Sequence, residues 1–209
     1  MSDITKQDAL QRFVSAKINH LYRQKAAGVS AAIAELAQLR RGAGKVPTDQ
    51  PHLMGMVLVL ENEDEKDKQA FPEQCRGKGD KPNDAEIAAY TALTLFALHQ
   101  QSQNKSMHDA EVSFGKAVGK LVGDTTTSMK KRFDSLLTAQ TEKARQHYLR
   151  AIIALLRSEE IAFDYGRFAV DYMYLQHAST RKNVLYKWNR EFSYGLVPPR
   201  SEESETTTK

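Results

Sequence analysis

The chain has 209 residues, of which 41% are hydrophobic and 27% charged, and its formal net charge at pH 7 is +4. This length allows one domain with a sizeable core, and the single cysteine, Cys75, excludes a disulfide framework or a multi-thiolate metal site and is typical of a reducing compartment. The longest apolar run, residues 53–60, is far shorter than the roughly 20 residues of a membrane span, and no apolar signal core begins the chain, so we expect a cytoplasmic protein that does not contact membranes.

Charge is distributed unevenly along the chain. Residues 1–50 contain eight basic and four acidic residues, residues 51–84 contain five and eight, and residues 101–200 contain sixteen and ten. The acidic stretch 61–84 has almost no apolar residues and several glycines and prolines, which predicts a mobile connection. Residues 201–209 repeat this composition, so we expect a disordered tail after a single helical domain of residues 1–200.

Apolar residues in the first part of the chain follow a helical period. They recur every three or four positions over residues 10–22, and Gly28 then offers a stop. Ser30 can cap a second helix that ends at Gly42. Residues 51–60 fit either a short buried helix or a strand, because periodicity cannot decide so short a run. An otherwise helical chain offers a strand nothing to pair with.

Six further helices are predicted in the rest of the chain. A helix over residues 84–99, capped by its first residue, is apolar on nearly every side and should be the most buried element. The next begins at Ser106 and carries Gly115, Gly119 and Gly123, whose spacing provides a flat face for another helix. Plainer helices follow over residues 128–137, 141–157, 164–176 and 180–192. The sequence therefore predicts an all-α fold, a compact bundle of eight or nine helices that is either single or made of two packed sub-bundles.

Neither a phosphate-binding loop nor a metal site is predicted. Gly115 and Gly119-Lys120 are separated by only three residues, and Leu rather than Ser or Thr follows, so a helix with small residues on one face explains the pattern better than a P-loop. The six histidines lack the spacing of a helical zinc site. His99 and His108 flank a short connection, where capping or hydrogen bonding to the backbone is the favoured interpretation. We expect no catalysis, no metal and no cofactor.

Basic residues are the most informative feature of the sequence. Lys143, Arg150 and Arg157 recur every seven positions, which keeps them on one stripe of their predicted helix. Basic pairs and triplets recur elsewhere, at Arg40-Arg41, Lys116 and Lys120, Lys130-Lys131-Arg132, Arg181-Lys182, and Lys187 and Arg190. If several of these share one surface, they form a groove that follows phosphates. A solvated helix face is the alternative for each of them.

Two other functional hypotheses remain open at this stage. Residues 130–156 have the outline of a helix-turn-helix, which would make the protein a stand-alone helical DNA-binding regulator that reads duplex sequence as a dimer. No helix with Asn, Gln and Arg clustered at its start is visible, however. An enzyme has no supporting group of residues beyond the near match at Gly115.

Several short sequence blocks follow one another in a characteristic order along residues 25–195. They are AELAQLRRG at 34–42, LFALHQQ at 95–101, MH at 107–108, SFGKA at 113–117, RFDSLL at 132–137, the helix of 149–156, DY at 171–172 and WNREF at 188–192. No single block is specific, but together their order and spacing resemble the CasB family, the small subunit of the type I-E CRISPR surveillance complex Cascade. The acidic stretch 61–84 departs from the family pattern and leaves the contact surface there in doubt.

The resemblance implies a non-enzymatic, all-helical subunit that lies along a guide-RNA filament, beside the backbone subunits, the large subunit and a second copy of itself. It also implies a basic face that supports the crRNA and the target DNA strand and holds the displaced non-target strand, which stabilises the R-loop. The residues carried over most directly are Arg40, Arg41, Lys116, Arg132 and Arg150. The less direct assignments are Lys45, Lys120, Lys130, Lys131, Arg145, Lys182, Lys187 and Arg190.

Aromatic residues near basic ones are predicted to belong to the core. Trp188 and Phe192, with Leu185, share one face of the last helix and should anchor it, and base stacking by Trp188 is the alternative. Phe133 is likewise expected to be buried between exposed charges.

Overall fold

The computed structural model describes residues 4–61, 68–122 and 127–197. Within them the chain forms nine α-helices and one antiparallel hairpin, which confirms the all-α prediction. The helices are α1 (Lys6–Ala26), α2 (Ser30–Gly42), α3 (Met54–Val57), α4 (Asp84–His99), α5 (Phe114–Val122), α6 (Thr127–Thr138), α7 (Glu142–Ser158), α8 (Tyr165–Leu175) and α9 (Ala178–Gly195), and the strands are β1 (Val59–Glu61) and β2 (Lys68–Ala70). Among the described residues no helix combines the length and apolar character that a membrane span would need.

Helix α4 is the centre of the fold, as its composition predicts. It packs against α1, α2, α7 and α8, and nearly every residue from Ala85 to His99 is buried. Its cap is Asn83 rather than the predicted Asp84: the Asn83 side chain accepts hydrogen bonds from two backbone N–H groups, and Glu86 accepts one from Asn83 N in return. The buried apolar residues described by the structure form one continuous cluster, which favours a single bundle over two sub-bundles.

The start of α2 and residues 51–60 differ in detail from the predicted structure. The N-cap of α2 is Val29, which makes no side-chain capping bond, so Ser30 is the first helical residue instead of the cap. Residues 51–60 contain both predicted alternatives, since β1 begins one residue after the end of α3. The strand does find a partner: β2 pairs with it in antiparallel register, with Val59 opposite Ala70.

The partner strand lies in the acidic stretch that was predicted to be a mobile connection. In the described part of this stretch, residues 68–84, Phe71 and Cys75 are fully buried. The Phe71 ring meets the Phe13 ring edge to face, with centroids 5.1 Å apart, and Arg76 Nε donates to the Phe71 carbonyl over 2.7 Å. Two apolar side chains therefore anchor this mostly polar segment to the core, and the mobility of the stretch stays a prediction. Residues 62–67 and the predicted tail 201–209 lie outside the described residues.

Helix α5 begins at Phe114, eight residues later than predicted. The residues before it form an irregular segment, in which Asp109 N donates to the Phe163 carbonyl over 3.1 Å, so backbone pairing replaces the predicted first turns from Ser106. The flat face is confirmed for Gly115 and Gly119, which lie directly against the backbone of α9. Gly123 is outside the described residues.

The aromatic side chains around α9 form part of the core. The Trp188 ring stacks on Phe168 with 9° between the ring planes, and the Phe192 ring stacks on Phe133 with centroids 4.9 Å apart. Trp188 is fully buried. The predicted core role is therefore confirmed for Trp188, Phe192 and Phe133, and base stacking by Trp188 is excluded.

Candidate nucleic-acid interface

The end of α2 lies against α7, and three of the predicted basic residues are found where the two helices meet. We call Arg41, Lys45 and Arg150 the α2–α7 surface. All three are exposed, and Arg40, in the same turn of α2, is half-buried. Gly44, at φ +80°, reverses the chain after the helix, and the carbonyl that precedes it points to α7.

Arg150 joins the two elements of this surface. Its Nη1 donates to the Ala43 carbonyl over 2.7 Å, where the negative end of the α2 dipole favours a cation. The arginine stem passes over Gly44, since a Cβ on that glycine would lie only 2.6 Å from Arg150 Cδ. Arg41 and Lys45 make no ion pair with any described residue. The α2–α7 surface thus holds one fixed cation and two that are open to solvent.

A second basic surface lies where α5 packs on α9. We define the α5–α9 surface as Lys116 and Lys120 of α5 together with the exposed basic residues of α9, which are Lys182, Lys187 and Arg190. The two lysines are exposed and line a concavity of about 340 Å³, whose other walls include Glu191 and Tyr194. Burial raises the pKa of the Glu191 carboxyl, and the nearby Lys187 opposes this shift. Glu191 is therefore a partly buried carboxyl in the wall of the concavity that the two lysines line.

The basic residues of α9 have different surroundings. Lys182 and Arg190 are exposed, and neither bonds through its side chain to another described residue. Lys187 Nζ instead lies 2.7 and 2.9 Å from the two oxygens of Asp171, which also accepts a hydrogen bond from the Trp188 indole. Much of the Lys187 charge is therefore balanced by Asp171, and its phosphate contact stays a prediction.

Helix α6 supplies a third group of cations on a solvated helix face. Lys130, Lys131 and Arg132 are exposed, while Phe133 beside them is buried. Lys130 pairs with Asp134 one turn away, over 2.8 Å, an exposed contact of small energetic value.

Arg145 is the one candidate that the structure removes from the set. Its side chain is buried, and its guanidinium donates to Glu142 and to the carbonyls of Ala139 and Gln140. These contacts close the turn between α6 and α7, so the prediction that Arg145 binds nucleic acid is wrong. Gln146, next in α7, is also buried and donates to the Thr91 hydroxyl. Lys143 and His147 remain exposed in the first turns of α7, so the burial of Arg145 and Gln146 removes only part of the surface with which a helix-turn-helix would read bases.

The histidines that flank the connection after α4 are structural. His99 Nδ1 lies 3.0 Å from the Tyr165 hydroxyl, and burial lowers the pKa of His99 to about 4. His108 Nδ1 accepts a hydrogen bond from Tyr165 N, and burial lowers its pKa too. Backbone bonding is confirmed for His108, whereas His99 bonds a side chain. Among the described residues no group of three or more acidic, His or Cys side chains is placed to bind a metal.

The sequence patterns did not indicate the roles of Gln100, Tyr186 and Tyr194. Gln100 organises the connection after α4, because its amide donates to two loop carbonyls and its oxygen accepts from Met107 N. Tyr186 and Tyr194 are exposed at 70% and 64%, although tyrosine normally covers apolar surface. Their spacing of eight residues, with a basic residue midway, was the available signal.

Comparisons with known proteins agree on one family. The family model described as CRISPR-associated protein Cse2 matches residues 35–192. The crystal structure of CasB from Thermobifida fusca is 31% identical, with a TM-score of 0.68 over 88% of this chain and 97% of that one. A CRISPR-associated protein of the Cse2 family from Thermus thermophilus is 24% identical and has the same fold, with a TM-score of 0.60 over 88% and 97% of the chains. No curated protein sequence matches significantly.

Proposed function

We propose a function from one premise: this chain belongs to the CRISPR-associated Cse2 family. It is the small subunit of a type I-E Cascade complex and has no catalytic role of its own. It binds the backbones of the crRNA and the target DNA strand, and it holds the displaced non-target strand. Its partners in the complex are the backbone subunits, the large subunit and a second copy of this chain.

The observation that carries this proposal is the pairing of the family match with exposed cations. On the α2–α7 surface, Arg41 and Lys45 face solvent next to an Arg150 that is held by the Ala43 carbonyl. On the α5–α9 surface, Lys116 and Lys120 flank a concavity. Lysine and arginine that are open to solvent can release counterions from phosphates, whereas paired ones have already lost part of that capacity.

Modest contacts of this kind have a large effect in an R-loop. Opening the target duplex exchanges DNA pairs for RNA–DNA pairs at nearly equal free energy, so contacts to strand backbones can tip the balance without reading sequence. A scaffold subunit therefore needs cations in fixed positions and has no need of base-specific side chains.

The first test is co-elution of the purified protein with a guide-RNA-loaded type I-E backbone assembly in size-exclusion chromatography, at low and at moderate salt. We expect co-elution at both. Failure at both, with tight binding to one duplex sequence, would overturn the proposal in favour of a regulator.

The second test measures the salt dependence of strand binding in charge-reversal variants. Arg41→Glu and Lys116→Glu should each weaken binding equally for unrelated sequences and lower the slope of log K against log salt by about one. The matched control is Arg23→Glu, because Arg23 is also an exposed arginine in the last turn of a helix and lies on neither surface. Reversals that leave affinity and slope at the wild-type values would remove these surfaces from the interface.

A further inference from the structure

Helix α9 carries basic and aromatic residues in alternation on its exposed side. We call Lys182, Tyr186, Arg190 and Tyr194 the α9 stripe. The four residues follow one another at intervals of four, and all of them are exposed. None bonds through its side chain to another described residue. The only acidic residue of α9 is Glu191, which is half-buried.

The two tyrosines contribute nothing visible to the fold of the described chain. Tyr186 and Tyr194 are exposed at 70% and 64%, whereas Trp188 and Phe192 on the other side of the helix are buried. The same helix therefore separates its aromatic residues into a packed set and a solvent-facing set. An exposed aromatic ring beside a cation is the combination with which proteins bind bases and phosphates of single strands.

The spacing of the stripe fits an unstacked strand. Four residues advance an α-helix by about 6 Å and rotate it by about 40°. Bases stacked in a duplex rise only about 3.4 Å per nucleotide on each strand. The rings of Tyr186 and Tyr194 are eight residues apart, which is about 12 Å along the helix. Each ring can stack on a base only when the bases between them are no longer stacked on one another.

The stripe continues onto a neighbouring helix. Tyr194 lines the concavity of about 340 Å³ whose rim carries Lys116 and Lys120 on α5. Close packing through Gly119 and Gly195 fixes these lysines relative to the end of α9. A strand that leaves Tyr194 would thus meet two more cations.

We propose that the α9 stripe is a stacking site for single-stranded nucleic acid, in which Tyr186 and Tyr194 each stack on a base, Arg190 contacts the phosphates between these two bases and Lys182 contacts a phosphate beyond Tyr186. This inference rests on the proposed function and deepens it. It assigns the two tyrosines as the contacts that select an open strand over a duplex.

The experiment uses fluorescence anisotropy with labelled 15-nucleotide oligo-dT, oligo-U and a matched duplex. We expect the wild-type chain to prefer the single strands, and Tyr186→Ala and Tyr194→Ala to weaken single-strand binding about tenfold each, the value of one stacked base. The salt slope should stay unchanged, because no cation is lost. Tyr186→Phe and Tyr194→Phe are the matched controls and should keep most of the affinity, since they keep the ring.

A second readout reports on stacking itself. A 2-aminopurine placed in the oligonucleotide should change its fluorescence on binding to the wild type and to the phenylalanine variants but not to the double alanine variant. A preference for oligo-dT over oligo-U would assign the DNA strand as the ligand, and the reverse would assign RNA, because only the 2′-hydroxyl and the base methyl distinguish them.

Several results would overturn the inference, and they differ from failure of the proposed function. Alanine variants that bind single strands like the wild type would remove the stacking site, while normal co-elution with the assembly would leave the proposed function intact. Alanine variants that lose co-elution but keep strand binding would assign the tyrosines to a protein contact. A wild type that fails both to bind strands and to co-elute would overturn the proposed function as well.

Discussion

The α2–α7 and α5–α9 surfaces both expose cations to solvent, but different contacts hold their two helices together. In the α2–α7 surface a long side chain crosses between elements, since Arg150 reaches the Ala43 carbonyl and lies over Gly44. In the α5–α9 surface the backbones themselves touch, and a Cβ added to Gly119 would lie 2.8 Å from Gly195 Cα. The first surface is fixed by a hydrogen bond, and the second by close packing.

The two kinds of contact predict different effects of mutations on the two surfaces. A side-chain bridge is lost when one residue changes, and the helices it joins stay where their cores place them. A backbone contact has no such freedom, because close-packed interiors transmit a displacement of one helix to the other. We therefore expect mutations under the α5–α9 surface to affect stability most, and mutations under the α2–α7 surface to affect mainly charge placement.

The largest effect is expected for Gly119→Ala. The new methyl group overlaps the Phe192 carbonyl oxygen, so α5 and α9 must separate, and we expect the free energy of unfolding to fall by about 2–3 kcal/mol. Gly55→Ala is the control, since Gly55 is also helical but has no atom within 4 Å of the added Cβ. It should be neutral or slightly stabilising in urea unfolding, and equal losses in the two variants would contradict the packing argument.

A smaller effect is expected for Gly44→Ala. Gly44 and Gly28 both have positive φ, 80° and 77°, so alanine at either position carries a backbone cost of roughly 1–2 kcal/mol. Only Gly44 has a neighbour at the added Cβ, the Arg150 stem, so only Gly44→Ala should also displace that arginine. We expect its salt slope for strand binding to fall while that of Gly28→Ala keeps the wild-type value. Identical slopes would separate Arg150 from the interface.

The smallest expected effect is a pH dependence confined to the α5–α9 surface. Since burial raises the pKa of Glu191, this carboxyl takes up its proton at a higher pH than an ordinary one. As the pH falls, loss of its charge in the concavity that Lys116 and Lys120 line should strengthen strand binding, by up to about fivefold for a contact of ~1 kcal/mol.

Glu191→Gln tests this prediction in anisotropy titrations from pH 7.5 to 5.5. The variant mimics the protonated state, so its binding should already be strong at the upper pH and change little on acidification. Glu160→Gln, which removes an exposed carboxylate paired with Lys105, should retain the wild-type pH profile. An unaltered profile in Glu191→Gln would show that this carboxyl does not face the bound strand.

Local patterns predicted the helices well and failed where distant residues meet. The alanine-rich run of α4 indicated a helix buried all round, and the glycine spacing of α5 indicated close packing. The pairing of β1 with β2 was missed because the partner lies in an acidic stretch whose composition indicates solvent. Local composition indicates whether a segment tends to be buried or exposed and says nothing about its partners across the fold.

The candidate interface was predicted less completely for the same reason. Arg145 precedes Leu149 by four residues and Ile152 by seven, so the helical period already places it on the buried face of α7. The link between Lys187 and Asp171 joins two helices and leaves no trace in local spacing. Exposure of Tyr194 likewise depends on how α9 lies against its neighbours.

The burial of Cys75 gives the protein an internal reporter of local opening. Its thiol is inaccessible, and burial raises its pKa, so it should not react with a thiol reagent while the 68–84 segment is packed. Because it is the only cysteine of the chain, its rate of labelling measures how often that segment detaches from Phe13 and the rest of the core. Comparing that rate before and after assembly would show whether docking against partner subunits clamps this edge of the molecule, without introducing any foreign probe.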